Sequence, residues 1–451
     1  MEKERLLAPL RRHGWDATSF QTVKSGLSYW RDDEDAFVAF AKIGRVLVAL
    51  GAPIAPRDER VDVAKRFVAH AETNGNAVCF FGVERDFVDA MALPHALIGL
   101  QPNWDPREWS ATLSGAPRLR EQLRRARAKK IVVRHIDVSE AAALHEGIRR
   151  LVATWLGLRG MAPMTFAVRI EPFTALEEKR LFVAERDGVL LGMVALAPLY
   201  ARGWLIEDLF RDPSAPNGTT ETLIDAAMKS AAASGSTFVT LGLAPLAGDV
   251  SKSLRTFRDH ASILFDFRGL EAFKRRLRPA HWDPIFIAHT ENTSGVRAIT
   301  AVLRAFARGS FIRFGIETLL RGPPIAIWVL AILLVPWTLG LASFDAEKWF
   351  PSLGIQAAWV IFDIGLVIGM LSLASRWRAS LALTLAIVVS ADTTITFIEA
   401  LTFNARRITT LGDAAVVAIA CLAPTAASIV VWGSWLRRHP SSPSNDRALI
   451  E

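Results

Sequence analysis

As far as about residue 290 the chain mixes short β-rich apolar runs with helical periodicity, and beyond that point four long apolar stretches take over. The clearest unit of the first kind is GWLIEDLFRDPSAPNGTTETLIDAAMKSAAASGSTFVTLGLAPLAG, from Gly203 to Gly248. WLIEDLF predicts a strand and Pro213 to Gly218 a turn. Leu223, Ile224, Ala227, Met228 and Ala231 then share one helical face before TFVTLGLA resumes as strand. This order predicts a right-handed β-α-β crossover. It leaves Asp208, Arg211, Asn217 and Glu221 near the carboxyl end of the strand and the amino end of the helix, where open α/β sheets hold ligands. Alternation along the strand predicts that Glu207 and Asp208 face opposite ways. The same mixture, for instance DAFVAFAKIGRVLVALGAP followed by VDVAKRFVAHAETNG, runs to about Asp137 and again from about Val138 to Thr290. The expected class is therefore α/β, or α+β, with two similar units side by side.

Each late stretch is long enough to cross a bilayer core, which takes about 20 apolar residues as helix. Ile325 to Ser343 and Ala414 to Leu436 carry no charge, Leu353 to Ser375 carries only Asp363, and Ala379 to Leu401 carries Asp392 and Glu399. Four transmembrane helices are expected. Arg321, Arg376, Arg378, Arg437 and Arg438 then fall on one side, which the positive-inside rule makes cytoplasmic, although Arg406 and Arg407 lie on the other. Ahead of the spans, Val296 to Leu320 sets Ile299, Val302, Leu303 and Phe306 against Arg297, Arg304 and Arg308, the pattern of a helix lying in the membrane surface. The alternative is an amphipathic helix packed on the soluble part. The expected organisation is thus 1–137 and 138–290 as two subdomains, 291–322 as a basic interfacial helix and linker, 323–438 as four spans, and 439–451 as a polar, disordered tail.

Charge sharpens the division. The chain has 53 Lys and Arg against 45 Asp and Glu, a net +8, and from Pro323 onward eight basic residues meet eight acidic ones. The whole excess lies on the soluble part, which suits anionic lipid headgroups, an RNA partner, or both. PRLREQLRRARAKK, Pro117 to Lys130, concentrates it, with Arg120, Arg124 and Arg127 as candidates for tRNA or phosphate contact; a solvated helix face is the alternative. Two cysteines, Cys79 and Cys421, give neither metal-ligand spacing nor a disulfide framework, which fits a reducing face. MEKERLLAPLRRHGWD has no apolar segment, so no secretory signal is expected.

Several of these stretches resemble the aminoacyl-phosphatidylglycerol synthases, and within them the phosphatidylglycerol lysyltransferase C-terminal domain. The resemblance rests on D-L-x-R at Asp208 to Arg211, Pro-Asn-Gly at Pro216 to Gly218, Glu221, and LGLAPL from Leu241 to Leu246. WLGLRGMAPMTF, FVAERDGVLLG and the closing FDFRGLEAFKRRLRPAHWDPIFIA extend it. In RVLVALGAPIAP, Ala52 stands where the family usually has the acid of Gly-Asp-Pro, so no role carries to that position.

The resemblance implies two acetyltransferase-like subdomains in tandem. It also implies transfer of an aminoacyl group from aminoacyl-tRNA to a lipid hydroxyl, a transesterification that needs no cofactor and no metal. It selects Asp208 for the substrate amine or for proton handling and Arg211 for an anionic phosphate or carboxylate. An ion pair between these two that braces the turn is the plainer alternative. Asn217 and Gly218 would bind substrate and Glu221 the α-amine of the aminoacyl group, although Glu221 as third helical residue could simply satisfy the helix amino terminus. Lys274 and Arg276 are candidates for the lipid phosphate or the tRNA end; otherwise they form the solvated face of a helix whose Leu270, Phe273 and Leu277 are core. Two other classes stay open: an acyl-CoA-dependent enzyme with another acceptor, and a transport or scaffold protein in which Asp363, Asp392 and Glu399 mark a pathway. Familiar members carry their membrane domain ahead of the catalytic one, so lipid flipping is not implied for spans that follow it.

Overall fold

The structure, a computed structural model, describes residues 2–159, 161–260, 265–321 and 323–438. The expected polar tail, 439–451, lies outside the described residues. The chain divides into two compact units: residues up to 314 without 159–162, and 159–162 with everything from 315 onward.

The first unit is built on one sheet of twelve strands. They are β1 Ser28–Arg31, β2 Phe37–Ile43, β3 Val46–Leu50, β4 Ala77–Glu84, β5 His95–Trp104, β6 Val132–Ile136, β7 Arg180–Arg186, β8 Val189–Leu199, β9 Gly203–Arg211, β10 Val239–Thr240, β11 Ala244–Pro245 and β12 His281–His289. Their order is β1-β2-β3-β4-β12-β5-β10-β9-β8-β7-β6, with β11 on β5. The same sequence of pairings occurs twice, once from the β1 edge inward and once from β7 inward. β1, β2 and β3 are antiparallel, and β3 is joined to parallel β4 through the helix Arg60–Thr73. β7, β8 and β9 are antiparallel, and β9 is joined to parallel β10 through the helix Thr219–Ala233. Two similar halves are therefore present in the pairing itself. The halves meet where β5 and β10 pair antiparallel. Following the pairings from β4 through β12, β5 and β10, β3 and β9 run in opposite directions, so their carboxyl ends lie at opposite ends of the sheet.

Both crossover helices bury the faces that periodicity selects. Ala64, Phe67 and Ala71 of the first pack on Val78, Phe80 and Val83, and Val63 packs with Ala36 and Ala55. Leu223, Ile224, Ala227, Met228 and Ala231 of the second pack on Val194, Leu196, Ile206 and Val239. Each large side chain so buried is worth roughly 1.5–3 kcal/mol.

Two expectations need correction. A boundary at residue 137 cuts the sheet in the wrong place. β6 pairs with β7 and belongs to the second half, while β12, at the far end of the soluble sequence, returns between β4 and β5. Its buried run Ile285, Phe286, Ile287 and Ala288 is apolar on both faces, which suits a central strand better than an edge. The helix Gly295–Phe306, expected in the membrane surface, instead buries Ala298, Ala301, Val302 and Ala305 against Phe81, Ile285 and Ile287. Its small alanines, not its bulky residues alone, let it approach the sheet closely. The next helix, Phe311–Arg321, leaves bulky apolar residues open at Phe311, Ile312 and Ile316.

The second unit contains four helices long and apolar enough to cross a membrane: Ala326–Ser343, Leu353–Ser375, Ala379–Arg407 and Leu411–Leu436. Ile327, Leu366, Met370, Leu385, Val389 and Val431 form its core, while Leu333, Leu339, Ile361, Ile368, Leu401 and Leu422 point outward, as lipid-facing positions do. Polar links join the helices inside. Ser390 meets Ser428 at 2.8 Å and accepts from Trp432 Nε1 at 2.9 Å, and Thr338 donates to the buried Asp363 at 3.4 Å. At a loop, Lys348 and Asp413 pair at 2.7 Å. Asp363 thus serves at least one interhelical hydrogen bond.

Replacing Ala301 by Lys separates the two placements of its helix. Packed on the sheet, the substitution buries a charge and lowers stability by roughly 3 kcal/mol or more, read as a lower thermal midpoint by tryptophan fluorescence. An unchanged midpoint would return the helix to the membrane surface.

Candidate functional site

The site is organised by an irregularity in β9. Met193 faces Phe210 and Ala195 faces Glu207, so Asp208 and Leu209 together oppose the single Val194. This is a β-bulge, and its first residue, Asp208, has φ +50°. The bulge overturns the expected alternation: Glu207 and Asp208 turn to the same side and both reach Lys179 Nζ, at 2.9 and 3.3 Å. Lys24 Nζ and Gln21 Nε2 complete the cluster on Glu207 at 3.0 and 2.9 Å. The side chain of Lys179 has 0% exposure. Burial opposes the charge on Glu207, yet Lys24 and Lys179 beside it bring its carboxyl down to about 2. Burial raises the carboxyl of Asp208, with Lys179 opposing and Glu207 reinforcing. Lys179 is itself raised, because its two acids outweigh burial.

Asp208 and Arg211, expected to act together, face opposite sides of the sheet. Arg211 pairs with Gly192, an odd number of residues from Ala195, so it faces the opposite side of the sheet from Glu207. That is the side of the second crossover helix, since a Cβ on Gly192 would meet Leu223 and Thr219. Asp208 pairs with Lys179 instead of Arg211, and Arg211 makes no ion pair among the described residues. The turn-bracing ion pair is not formed.

The sheet is open at this place. β10 pairs with β9 only at Trp204 and Leu205, so from Ile206 to Arg211 the strand has no parallel neighbour. The far wall of the split is the turn Leu241–Leu243, and Lys274 holds it. Lys274 Nζ donates to the carbonyls of Leu241, Gly242 and Leu243 at 2.8, 2.8 and 2.9 Å. This corrects the expectation of a phosphate contact, because all three N–H groups are already used. Burial pushes its ammonium down to about 7, while the three carbonyls favour the protonated form. Its neighbours on the helix Phe267–Arg276 differ: Arg276 is exposed, and Trp282 lies under the Arg275 guanidinium at 5.0 Å in a packing role.

At the head of the second crossover helix, Gly218 caps with φ +96°, and a Cβ there would meet Gln122 O at 2.3 Å. Asn217 is exposed. Glu221 is the third helical residue but makes no hydrogen bond to the helix end among the described residues, so its carboxylate is not spent on capping. Gln122 belongs to the arginine helix Pro117–Ala128, which buries Leu119, Leu123 and Ala126, lays Gln122 and Ala126 against Gly218 of the Pro-Asn-Gly turn and keeps its arginines exposed. Arg124 shares Glu121 with Arg125, Arg127 lies 3.7 Å from buried Asp225, and exposed Arg120 has no ion pair among the described residues. No periodicity announces that this helix, some ninety residues upstream, packs here; the glycine at Gly218 was the available signal. Lys179 and Lys24 lie in no motif and were missed for that reason. Among the described residues no three His, Cys, Asp or Glu side chains gather as metal ligands would.

Residues 7–289 match the model of the family described as phosphatidylglycerol lysyltransferase, C-terminal. The chain belongs to this family. It is 26% identical over 311 residues to a phosphatidylglycerol lysyltransferase of Bacillus subtilis (strain 168), across 65% of this chain and 36% of that protein, so it spans about a third of that relative's length. Two solved structures share the fold. L-PGS from Bacillus licheniformis has a TM-score of 0.59 at 21% identity, covering 68% of this chain and 96% of that one. A C-terminal domain (DUF2156) from Agrobacterium fabrum, assigned to lysylphosphatidylglycerol synthetase, has a TM-score of 0.60 at 20% identity, covering 68% and 98%.

Two measurements check the geometry. Gly218→Ala forces a strained φ and a clash with the Gln122 carbonyl, so it lowers the unfolding midpoint by an amount equivalent to about 1–3 kcal/mol; a neutral result would mean that the arginine helix does not lie against the turn. The folded-state pKa of Glu207 is below its ordinary value of 4.5, so its contribution to stability is present above about 4.5 and is lost as pH falls toward about 2. Glu207→Gln therefore destabilises the protein at neutral pH and removes this part of the acid loss, which midpoints measured across that window will show.

Proposed function

We propose that the chain transfers an aminoacyl group from an aminoacyl-tRNA to a hydroxyl of phosphatidylglycerol or a related anionic lipid, at the cytoplasmic face of a membrane. The observation that carries this reading is the split beside β9 in a chain of this family, with charged groups of different kinds on its two sides. In the reaction the lipid hydroxyl oxygen attacks the ester carbonyl, the bond to the tRNA ribose oxygen breaks, and the hydroxyl proton ends on that ribose oxygen. No net energy source is needed, only orientation, a place for the proton and stabilisation of the tetrahedral oxyanion.

The roles divide along the bulge. Arg211, not committed to an ion pair, offers its guanidinium to a phosphate or to the oxyanion, and Glu221 and Asn217 on the same side take the α-ammonium and the polar atoms of the aminoacyl group. Arg120, with Arg124 and Arg127 on the same helix, attracts the phosphates of the tRNA end. Asp208, its side chain 5% exposed and held by Lys179 on the other face, keeps the bulge in place and does not meet substrate. Arg276 is free to meet a lipid phosphate, while Lys274 keeps the opposite wall in place. The four apolar helices anchor the chain, and the open face of Phe311, Ile312 and Ile316 beside Arg313 fits a helix at the membrane surface with the transferase on the cytoplasmic side.

Purified full-length protein with phosphatidylglycerol vesicles and labelled aminoacyl-tRNA is expected to yield labelled lipid. Arg211→Ala is expected to lower the rate by about 100-fold, the scale of removing one oxyanion or phosphate contact, with membrane insertion unchanged. Lipid left unlabelled by every aminoacyl-tRNA, together with transfer from an acyl-CoA, would sink the reading.

A further inference from the structure

The first half repeats the crossover that carries the site. β3 enters the helix Arg60–Thr73 through a turn containing Ala55 and Pro56, as β9 enters its helix through Ala215 and Pro216, and both alanines are buried. The two turns lie at opposite ends of the sheet because β3 and β9 run in opposite directions. The first half has no split: all five residues of β3 pair with β4. It has instead a small cavity of about 80 Å³ at the turn, lined among others by Arg12, Trp15, Asp16, Arg57, Arg60 and Ala201.

Several polar atoms at this cavity are not satisfied. Asp16 and Arg60 are 5% and 6% exposed, and Asp16 Oδ1 and Arg60 Nε have no hydrogen-bond partner; neither has Trp15 Nε1. Other atoms of the same residues are used. Asp16 Oδ2 accepts from the Ala52 amide at 3.4 Å, Arg60 donates to Asp86 at 2.9 Å, and the Arg57 guanidinium lies 3.8 Å over the Trp15 ring. A carboxylate thus stands at the Ala52 turn after all, supplied by Asp16.

We propose that this turn binds one phosphate-sized oxyanion, as free phosphate or as the phosphate of a small glycerol ester. The chemistry favours an anion over a cation. The unpaired N–H groups of Trp15 and Arg60, the guanidinium of Arg57 and the amino end of a 14-residue helix converge there. Of the nearby acids, Asp86 is engaged by Arg57 and Arg60 and Asp35 by Arg12 and His13. Asp16 is paired as well, its Oδ1 lying 3.7 Å from Arg60 Nη1. Burial, with Glu84 and Asp86 close by, pushes its carboxyl up to about 6, so it accepts a proton readily when an anion arrives. The volume falls well short of the roughly 300 Å³ of a drug-sized site, which excludes a nucleotide or an acyl chain.

The proposal does not depend on the transfer reaction and is tested without it. Isothermal titration of the detergent-purified full chain with inorganic phosphate and with glycerol 3-phosphate is expected to show a single site for at least one of them. The tighter of the two identifies the source as free ion or headgroup. Trp15→Phe keeps the ring under Arg57 and removes one N–H, and should weaken binding about tenfold. Ala201→Leu, at an exposed turn between β8 and β9, fills the cavity without removing any polar group and should abolish binding with an unchanged unfolding midpoint. Absence of heat with both probes well above the millimolar range, or wild-type binding by Ala201→Leu, would overturn it.

Discussion

A lysine with no exposed surface, pinned between two adjacent carboxylates, is the constraint on which the second half of the sheet depends. Regular strand geometry cannot present two consecutive side chains to one cation, so the ion cluster and the bulge at Asp208 require each other. Taking these charges out of water costs several kcal/mol per ion, which only close pairing offsets, and losing one partner would strand the others. From the bulge follow the reversal that sends Arg211 to the helix side and the wedge of open sheet beyond Leu205. Lys24 and Gln21 come from the first half, so the geometry of the second is fastened to a segment some 180 residues earlier.

A second buried lysine completes the frame by different means. Lys274 neutralises no acid; it collects three carbonyl groups from a turn that would otherwise leave them without donors. One lysine thus sets the near wall of the split through charge and the other sets the far wall through hydrogen bonding. The groups left over, Arg211, Asn217, Glu221 and Arg120, are those the frame does not consume. They are also the ones exposed enough to meet a substrate.

What was legible in the sequence was whatever repeats with a period. Leu223, Ile224, Ala227, Met228 and Ala231 lie in the core as their spacing requires, and the four apolar stretches form the long helices. Features that break a period were not legible. The bulge occurs at an aspartate, with no glycine to mark it, and so Glu207 and Asp208 share a face that alternation denies them. Lys274 sits on a helix among arginines, and nothing in FKRRLRP distinguishes the buried lysine from its solvated neighbours. The helix Gly295–Phe306 reads as amphipathic on either placement, and only the alanines at 298, 301 and 305 indicate close approach to a sheet. Pairing between distant strands, as for β12, leaves no local trace at all.

That last strand bears on how the protein is made. β12 occupies the middle of the sheet, yet its residues, His281–His289, emerge from the ribosome after all eleven other strands and just before the apolar helices. Until it arrives, β4 and β5 each lack a neighbour, and two apolar edges wait unpaired for some 180 residues of synthesis. Such late, non-local closure is slow and leaves intermediates prone to aggregate. The first half is consequently not a separate folding unit, and the sheet reaches completion at about the moment when the chain begins to enter its membrane.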